Sequence, residues 1–258
     1  MNDFNMKKAV VTFPITTGKK KRLITTYRDC DLGQELKQKH QEDLKLLEKN
    51  YPINKQIAYA YLKDQSIKHL VDKHLDNSYF YQFDLKNFFA SINHTILLDK
   101  LTATSSEWNQ QLIGEASNRK PCGLALGLVP SPYLSNIYLS NFDADLNSFF
   151  NNLNPSIVYT RYSDDLTISS PVALDLDRLT TIISDYLQAL ELELNISKTK
   201  HTHLAVKGQH LKILGLNIIR GASTNYVTVG RKFKSAAHYE KDFIRQQAMT
   251  AYINYNED

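Results

Sequence analysis

Apolar and polar positions alternate from Ala9 to Ile15 (AVVTFPI), which predicts a β-strand. KRLITTY (Lys21–Tyr27) predicts its hairpin partner across a turn at Gly18. The period then changes. Leu32, Leu36, Leu44 and Leu47 recur at helical spacing, so Leu32–Leu47 reads as a helix. A second, shorter helix covers Ser66–Leu75. YFYQFDL (Tyr79–Leu85), rich in aromatic residues, reads as a strand. Pro130 and Pro132 open a helix that runs to Phe149, since a first turn tolerates proline. Ile157–Ser170 reads as a hairpin. Leu176, Leu179, Ile182, Ile183, Tyr186, Leu187 and Leu190 form a helical stripe, and LKILGLNII (Leu211–Ile219) closes the series as a strand. Strands and helices mix without a regular βαβ rhythm, which predicts an α+β fold rather than a doubly wound sheet.

Composition narrows this only a little. The chain has 258 residues, 42% hydrophobic and 22% charged, enough for one large globular domain or two small ones. No apolar run approaches the length needed to span a bilayer. The start, MNDFNMKKAVVTF, is a poor signal peptide. Cys30 and Cys122 have no metal-like spacing and suit a reducing cytoplasm. The net charge of +4 decides nothing, but its distribution matters. Basic residues cluster in GKKKR (Gly18–Arg22), SKTKH (Ser197–His201) and GRKFK (Gly230–Lys234). Singly, each reads as a solvated loop. Beside a paired-carboxylate site, they favour a phosphate-rich partner.

That site is YTRYSDDLTISS (Tyr159–Ser170). A hairpin turn uses one aspartate for turn chemistry. Two adjacent ones, Asp164 and Asp165, repel each other and cannot be buried unpaired. They read either as solvent-facing turn acids or as a divalent-cation site in which the ion cancels the repulsion. The second reading needs a further carboxylate. Asp84 ends a hydrophobic strand in FDLKNFF, and two strands side by side would present Asp84 and Asp164 at one edge.

Tyr162-Ser163-Asp164-Asp165 resembles the YxDD box of reverse transcriptases. FDLKNFFASI resembles the segment that holds the first catalytic aspartate in the bacterial members. GLALGLVPSPYLSNIYL resembles the next block, which contacts template and incoming nucleotide. LNISKTK resembles the block that follows, with its lysine, and LKILGLNI resembles the strand that grips the primer. Upstream, TGKKKRLI resembles the fingers hairpin, and AYAYLKDQSI (Ala58–Ile67) resembles the fingers segment of retron and group II intron enzymes. The segments follow in one order from about residue 10 to about residue 235.

The resemblance implies a right-hand polymerase fold: fingers and palm, with an antiparallel palm sheet backed by helices, and a reduced or incomplete thumb. Fingers would cover 1–78, palm 79–221 with a fingers segment at about 98–122, and a thumb remnant 222–258. It implies an RNA-directed DNA polymerase using two Mg²⁺ ions, with Mn²⁺ as a substitute. Asp84, Asp164, Asp165 and the Leu85 carbonyl would hold the metals. Lys198 would stabilise the leaving pyrophosphate. Arg22, Lys21 and neighbouring Lys19 would meet the triphosphate, and Phe89 would lie under the sugar and exclude a 2′-hydroxyl, with Phe88 as plain core. Ser131, Pro132 and Asn136 match nucleotide-contacting positions. Leu126, Gly127, Tyr162, Lys63, Leu214 and Gly215 match template and primer positions. Partners would be dNTPs, DNA product and an RNA template, of a structured noncoding kind, in a cytoplasmic antiphage defence system.

The sequence also departs from the pattern. Ala125-Leu126-Gly127 stands where Pro-Gln-Gly is common, which raises untemplated or repeat synthesis as an alternative. Leu70-Val71 replaces an Asn-Ala pair before His74, and Ile213-Leu214-Gly215 replaces Val-Thr-Gly. These differences point away from retrons and toward abortive-infection-type enzymes, with a retron reverse transcriptase making RNA-linked DNA kept as an alternative and a catalytically silent nucleic-acid scaffold as the non-enzyme one. Ser235–Tyr255 has room for one helix, so a protein partner, a structured RNA or a second copy is expected to complete the grip. His201 and His203 read as structural or exposed. Protein priming through Tyr226, Tyr239, Tyr252 or Tyr255 is a minor alternative.

Overall fold

The structure, a computed structural model, describes residues 7–17, 20–117, 122–239 and 243–257. Gly18 and Lys19 lie outside these. The α+β expectation holds. Strands β1 (Val10–Thr17) and β2 (Lys20–Tyr27) pair antiparallel, and helix α1 (Asp31–Asn50) follows. Ser66 caps α2 (Ile67–Asp72) by accepting from the His69 amide.

The centre is a four-stranded antiparallel sheet in the order β4-β5-β3-β6: β3 (Tyr79–Asp84), β4 (Val158–Tyr162), β5 (Asp165–Ser170) and β6 (Lys200–His203). β3 is interior, flanked by β5 and β6, and packs aromatic residues on both faces, Tyr79, Tyr81 and Phe83 on one and Phe80 on the other, which is why its sequence runs aromatic rather than alternating cleanly. Tyr81 and Phe83 join the larger core with α3 (Phe88–Ser91), α4 (His94–Lys100), α5 (Ser106–Glu115), α6 (Ser131–Leu153) and α7 (Leu176–Gln188). Phe80 points the other way. It joins a second core with Leu70, Val71 and the meander β7 (His210–Ile213), β8 (Leu216–Arg220) and β9 (Asn225–Val229). By parity, Asp84 lies on the Phe80 side of the sheet.

Two expectations change. Leu211–Ile219 is a hairpin, not one strand: Ile213 pairs with Leu216, and Leu214 (φ 49°) and Gly215 (φ 100°) make the turn. Positive φ at both positions is what a two-residue hairpin demands, and leucine in the first position hid the signal. Ser235–Tyr255 is likewise not one helix but parts of α8 (Arg231–Tyr239) and α9 (Phe243–Glu257). α9 folds back: the Tyr255 hydroxyl lies 3.0 Å from Ser66 Oγ, and Glu257 Oε1 accepts from the Val229 amide at 2.8 Å. Among the described residues, no helix is long and apolar enough to cross a membrane.

Candidate active site

The β4–β5 hairpin closes in two residues, Ser163 and Asp164, because Tyr162 pairs with Asp165. Ser163 takes a positive φ of 58°. On the other side of β5, Asp165 is the register partner of Asp84, and the Leu85 amide donates to the Asp164 carbonyl at 2.9 Å. Ladder pairing therefore brings the three aspartates to one sheet edge. Asp84 is 8% exposed. Asn195 Nδ2 donates to its Oδ1 at 3.2 Å, and Lys198 Nζ pairs with its Oδ2. The Asn195 amide holds the Asp84 carbonyl at 2.7 Å, so the turn before β6 is fastened to the end of β3.

Burial, then the Asp164 and Asp84 carboxylates, push the Asp165 carboxyl up to about 6. Lys198 and Lys200 pull the other way without overcoming this. Burial is the larger cause, but three carboxylates at one edge still make a local excess of negative charge, and the donors are all hard oxygens. These residues fit a divalent cation of the Mg²⁺ type.

The turn is held from behind by a group that sequence reasoning missed. Arg161 is fully buried. Its Nε donates to Asp143 Oδ1 at 2.9 Å and its Nη2 to Oδ2 at 2.7 Å. Its Nη1 reaches Asn136 Oδ1 at 3.0 Å and the Ser163 carbonyl at 3.1 Å. Burial opposes the guanidinium's charge, and the Asp143 carboxylate more than offsets it. The signal available was a lone arginine inside an apolar strand, which must find an acid when buried.

Two of the residues expected at the nucleotide are engaged in the interior. Asn136 and Ser131 are fully buried. Asn136 Nδ2 donates to the Ala60 carbonyl at 2.9 Å, and Ser131 Oγ to the Ala116 carbonyl at 3.1 Å. Both side chains are tied to backbone and side-chain partners in the interior behind the site. Pro132 is half-buried in the first turn of α6.

The remaining candidates divide. Phe88 is core and Phe89 is half-buried. The Leu124 amide donates to the Phe89 carbonyl at 2.7 Å, and the Thr25 amide to the Leu126 carbonyl at 2.7 Å. The Leu124–Gly127 loop thus bridges Phe89 and the β1–β2 hairpin that carries exposed Lys21 and Arg22. Gly127 is required there: its φ is +104°, and a Cβ would stand 2.4 Å from the Thr25 carbonyl oxygen. Tyr162 and Leu214 each pack against the second core, and Gly215 follows Leu214 in the β7–β8 turn. Lys63 stands apart, its side chain 82% exposed and 4.0 Å from Glu48. His201 and His203 are exposed and stack on Tyr81 and Tyr79, with centroids 4.7 and 4.0 Å apart.

A second buried polar cluster joins the hairpin to α1 and α5. Ligand atoms of His40, Asp43 and Glu115 lie within 4.8 Å of one another. A cation is already built in: Lys39 Nζ donates to Asp43 and to Glu115 at 2.8 Å each. Burial would push the Glu115 carboxyl up, but nearby His40 and the hydrogen bonds from Lys39 and Gln111 hold it well below the usual range. Tyr27 completes the link, 2.8 Å from His40 Nδ1 and accepting from the Val129 amide at 2.9 Å. This cluster ties the hairpin to α1 and α5.

An antiparallel sheet that gathers three aspartates at one edge, backed by helices and flanked by a basic hairpin, is the palm and fingers of a right-hand polymerase. The fold of telomerase from Candida albicans, solved with a fragment of telomeric RNA, is similar: TM-score 0.62 at 11% identity, over 90% of this chain and 47% of that one. Apo telomerase from Candida tropicalis gives 0.55 at 15%, over 85% and 54%.

The chain belongs to the reverse transcriptase (RNA-dependent DNA polymerase) family, whose profile matches residues 18–218. It is 33% identical over 123 residues to the retron Ec83 reverse transcriptase of Escherichia coli, 44% of this chain and 39% of that protein. It is 24% identical over 189 residues to the retron Ec73 enzyme of the same species, covering 69% and 59%. The retron Mx65 enzyme of Myxococcus xanthus is 26% identical over 185 residues, covering 65% and 43%. The matches thus span 39% to 59% of these relatives' lengths. These relatives are retron enzymes, although Leu70-Val71 and Ile213-Leu214-Gly215 of this chain point away from retrons.

Proposed function

We propose that this chain is an RNA-directed DNA polymerase of retron type. The observation that carries the reading is the convergence of Asp84, Asp164 and Asp165 at one palm edge, with the Asp165 carboxyl raised to about 6. Asp84, Asp164, Asp165 and the Leu85 carbonyl would hold two Mg²⁺ ions, with Mn²⁺ able to substitute. When bound, such ions make a primer 3′-hydroxyl more acidic and neutralise charge on the triphosphate. In the reaction the hydroxyl oxygen forms a bond to the α-phosphorus, the α–β bridging bond breaks, and pyrophosphate leaves.

The chain's own residues do the positioning. Lys198, at Asp84, contributes positive charge toward the pyrophosphate and a proton for it. Arg22 and Lys21 extend from the hairpin toward the triphosphate, where the guanidinium fork suits phosphate oxygens. Phe89 lies under the sugar and favours deoxynucleotides. Leu126, Gly127, Tyr162, Leu214, Gly215 and Lys63 line the path of template and primer. In this reading, 1–78 are fingers, 79–221 palm with a fingers segment at about 98–122, and 222–258 thumb. The template is a structured noncoding RNA, and the setting is antiphage defence in the cytoplasm with a protein partner or second copy. Apolar Leu126 favours one alternative, a repeat-synthesising or untemplated polymerase, because it offers no side-chain hydrogen bond to a template.

The test is extension of a DNA primer on a defined RNA template with Mg²⁺, comparing the wild-type chain with Asp164→Asn/Asp165→Asn. Templated extension by the wild type alone is expected. Equal incorporation by both proteins would sink the reading, and template-independent product would shift it to the alternative.

A further inference from the structure

Tyr61 joins two parts of the site. Its hydroxyl lies 3.1 Å from that of Ser163, in the turn that carries Asp164. Its ring meets Phe89 edge-on, with centroids 6.3 Å apart and planes at 88°. The side chain is 47% exposed, so it is not a core residue. Its backbone is strained nonetheless: φ is 63°, a left-handed value that costs a side-chain-bearing residue about 1–2 kcal/mol.

Such strain persists only when the surroundings fix it. Here they do. The Ala60 carbonyl, one residue before Tyr61, accepts from buried Asn136, and the Tyr59 amide donates to the Arg161 carbonyl at 3.0 Å. Arg161 in turn holds both Asn136 and the Ser163 carbonyl. One buried guanidinium therefore positions the residue before Tyr61 and the turn that its hydroxyl reaches. The outcome is a half-exposed aromatic ring pressed against Phe89.

We infer that Tyr61 is a specificity-determining residue that backs Phe89 and stops its ring from yielding to a ribose 2′-hydroxyl. This rests on the proposed reading of Phe89 as the sugar-facing ring. Phe88, 5.5 Å away at 75°, is itself core and closes another side of Phe89. Tyr61 closes a side that faces solvent. A steric filter discriminates only as far as its wall is rigid, because a yielding wall admits the bulkier sugar at small cost. Removing the Tyr61 ring gives Phe89 room to turn away.

The experiment measures single-nucleotide incorporation by the full chain on a primed RNA template, as the ratio of kcat/KM for a deoxynucleotide over its ribonucleotide. Three variants are compared: Tyr61→Asn, Tyr61→Phe and Phe89→Ala. Asparagine removes the ring while tolerating the left-handed backbone. Phe89→Ala is expected to lower the ratio by at least about tenfold, and Tyr61→Asn by about tenfold. Tyr61→Phe keeps the ring and should hold the ratio within about twofold. A reduced ratio in Phe89→Ala with an unchanged one in Tyr61→Asn overturns the inference and leaves the Phe89 reading standing. An unchanged ratio in Phe89→Ala overturns the Phe89 reading itself. An equal fall in Tyr61→Phe would assign the effect to the hydroxyl tie and refute the ring argument. Complete loss of incorporation in a normally melting Tyr61→Asn protein would also refute it, because Tyr61 would then be needed for reaction rather than discrimination.

Discussion

Replacing Arg161 with methionine should expose how much the buried pair contributes and what it is for. Methionine fills much of the same volume, so the main change is loss of charge. Asp143 is left buried with only the Tyr159 hydroxyl, 2.8 Å from its Oδ1, from the former network. The Ser163 carbonyl and Asn136 Oδ1 lose their donor as well. Breaking one side of a buried pair costs about 3–5 kcal/mol, a large part of a domain's total of about 5–15 kcal/mol. For a chain of this size that is a fall in Tm of about 6–20 °C. The companion variant Arg161→Met/Asp143→Leu/Tyr159→Phe removes the stranded charge and the hydroxyl that bonds to it. It should recover most of the lost stability, since apolar replacement of a buried pair is often neutral. Activity should not recover, because nothing then ties the Ser163 carbonyl and the Ala60 segment behind the aspartates. Circular dichroism melts and primer extension on the same samples separate the two effects. A loss below about 1 kcal/mol in the single variant refutes the energetic reasoning. Full activity in the triple variant refutes the positioning role.

Three further outcomes are expected. Asp165→Asn should stabilise chelator-treated protein at pH 7.5 by about 1 kcal/mol after allowance for its partial exposure, read as a higher Tm, because it removes a half-buried carboxylate crowded by two others; a lower Tm would contradict this. His74, hydrogen-bonded to Ser169 and Thr160 at 2.8 Å each, is pushed down to about 3, chiefly by burial and then by Lys73. Its folded value lies below its unfolded one, so stability is full above about pH 6.5 and falls as the unfolded chain takes up the proton, by up to about 1.4 kcal/mol per pH unit. His74→Gln should flatten the Tm–pH curve between pH 6.5 and 4.5, and an equally steep curve would exclude His74 as the source. Gly127→Ala should detach the loop from β2, lowering stability by about 1–3 kcal/mol and raising the KM for dNTP, because its Cβ would collide with the Thr25 carbonyl; unchanged urea denaturation and KM would refute this.

The legible parts of this molecule are those set by short-range pattern. Tyr79–Asp84 reads as a strand from its aromatic run, and the turn at Ser163-Asp164 follows from the flanking strands. Pairing those strands then brings Asp84 opposite Asp165. The parts that escaped depend on contacts distant along the chain. Asp143 and Arg161 are separated by a helix end and a loop, and nothing local says that they meet. Lys39, Asp43 and Glu115 likewise come from two helices. The burial of Ser131 and Asn136 was hidden for a related reason: a motif locates a block without saying which of its side chains turn inward. Tyr61 was hidden because its left-handed backbone is imposed by Asn136 and Arg161, not by its own neighbours.

These charge networks also strengthen the reading of the site by contrast. Elsewhere in the interior the chain answers its acids with its own cations: Arg161 takes up both oxygens of Asp143, and Lys39 bridges Asp43 and Glu115. Glu115 accordingly stays ionised although burial opposes it. At the palm edge the response is incomplete. Lys198 pairs with Asp84, and Lys200 adds a distant pull, yet the Asp165 carboxyl still rises to about 6. Arg161 balances Asp143 one for one, whereas three carboxylates meet at the palm edge, and the surplus there leaves charge for something else to balance. Hard oxygen donors with surplus negative charge select a small divalent cation. The stabilising effect of Asp165→Asn is the measurable consequence: the wild-type edge is less stable than its sequence could make it, and the deficit is what metal binding would offset.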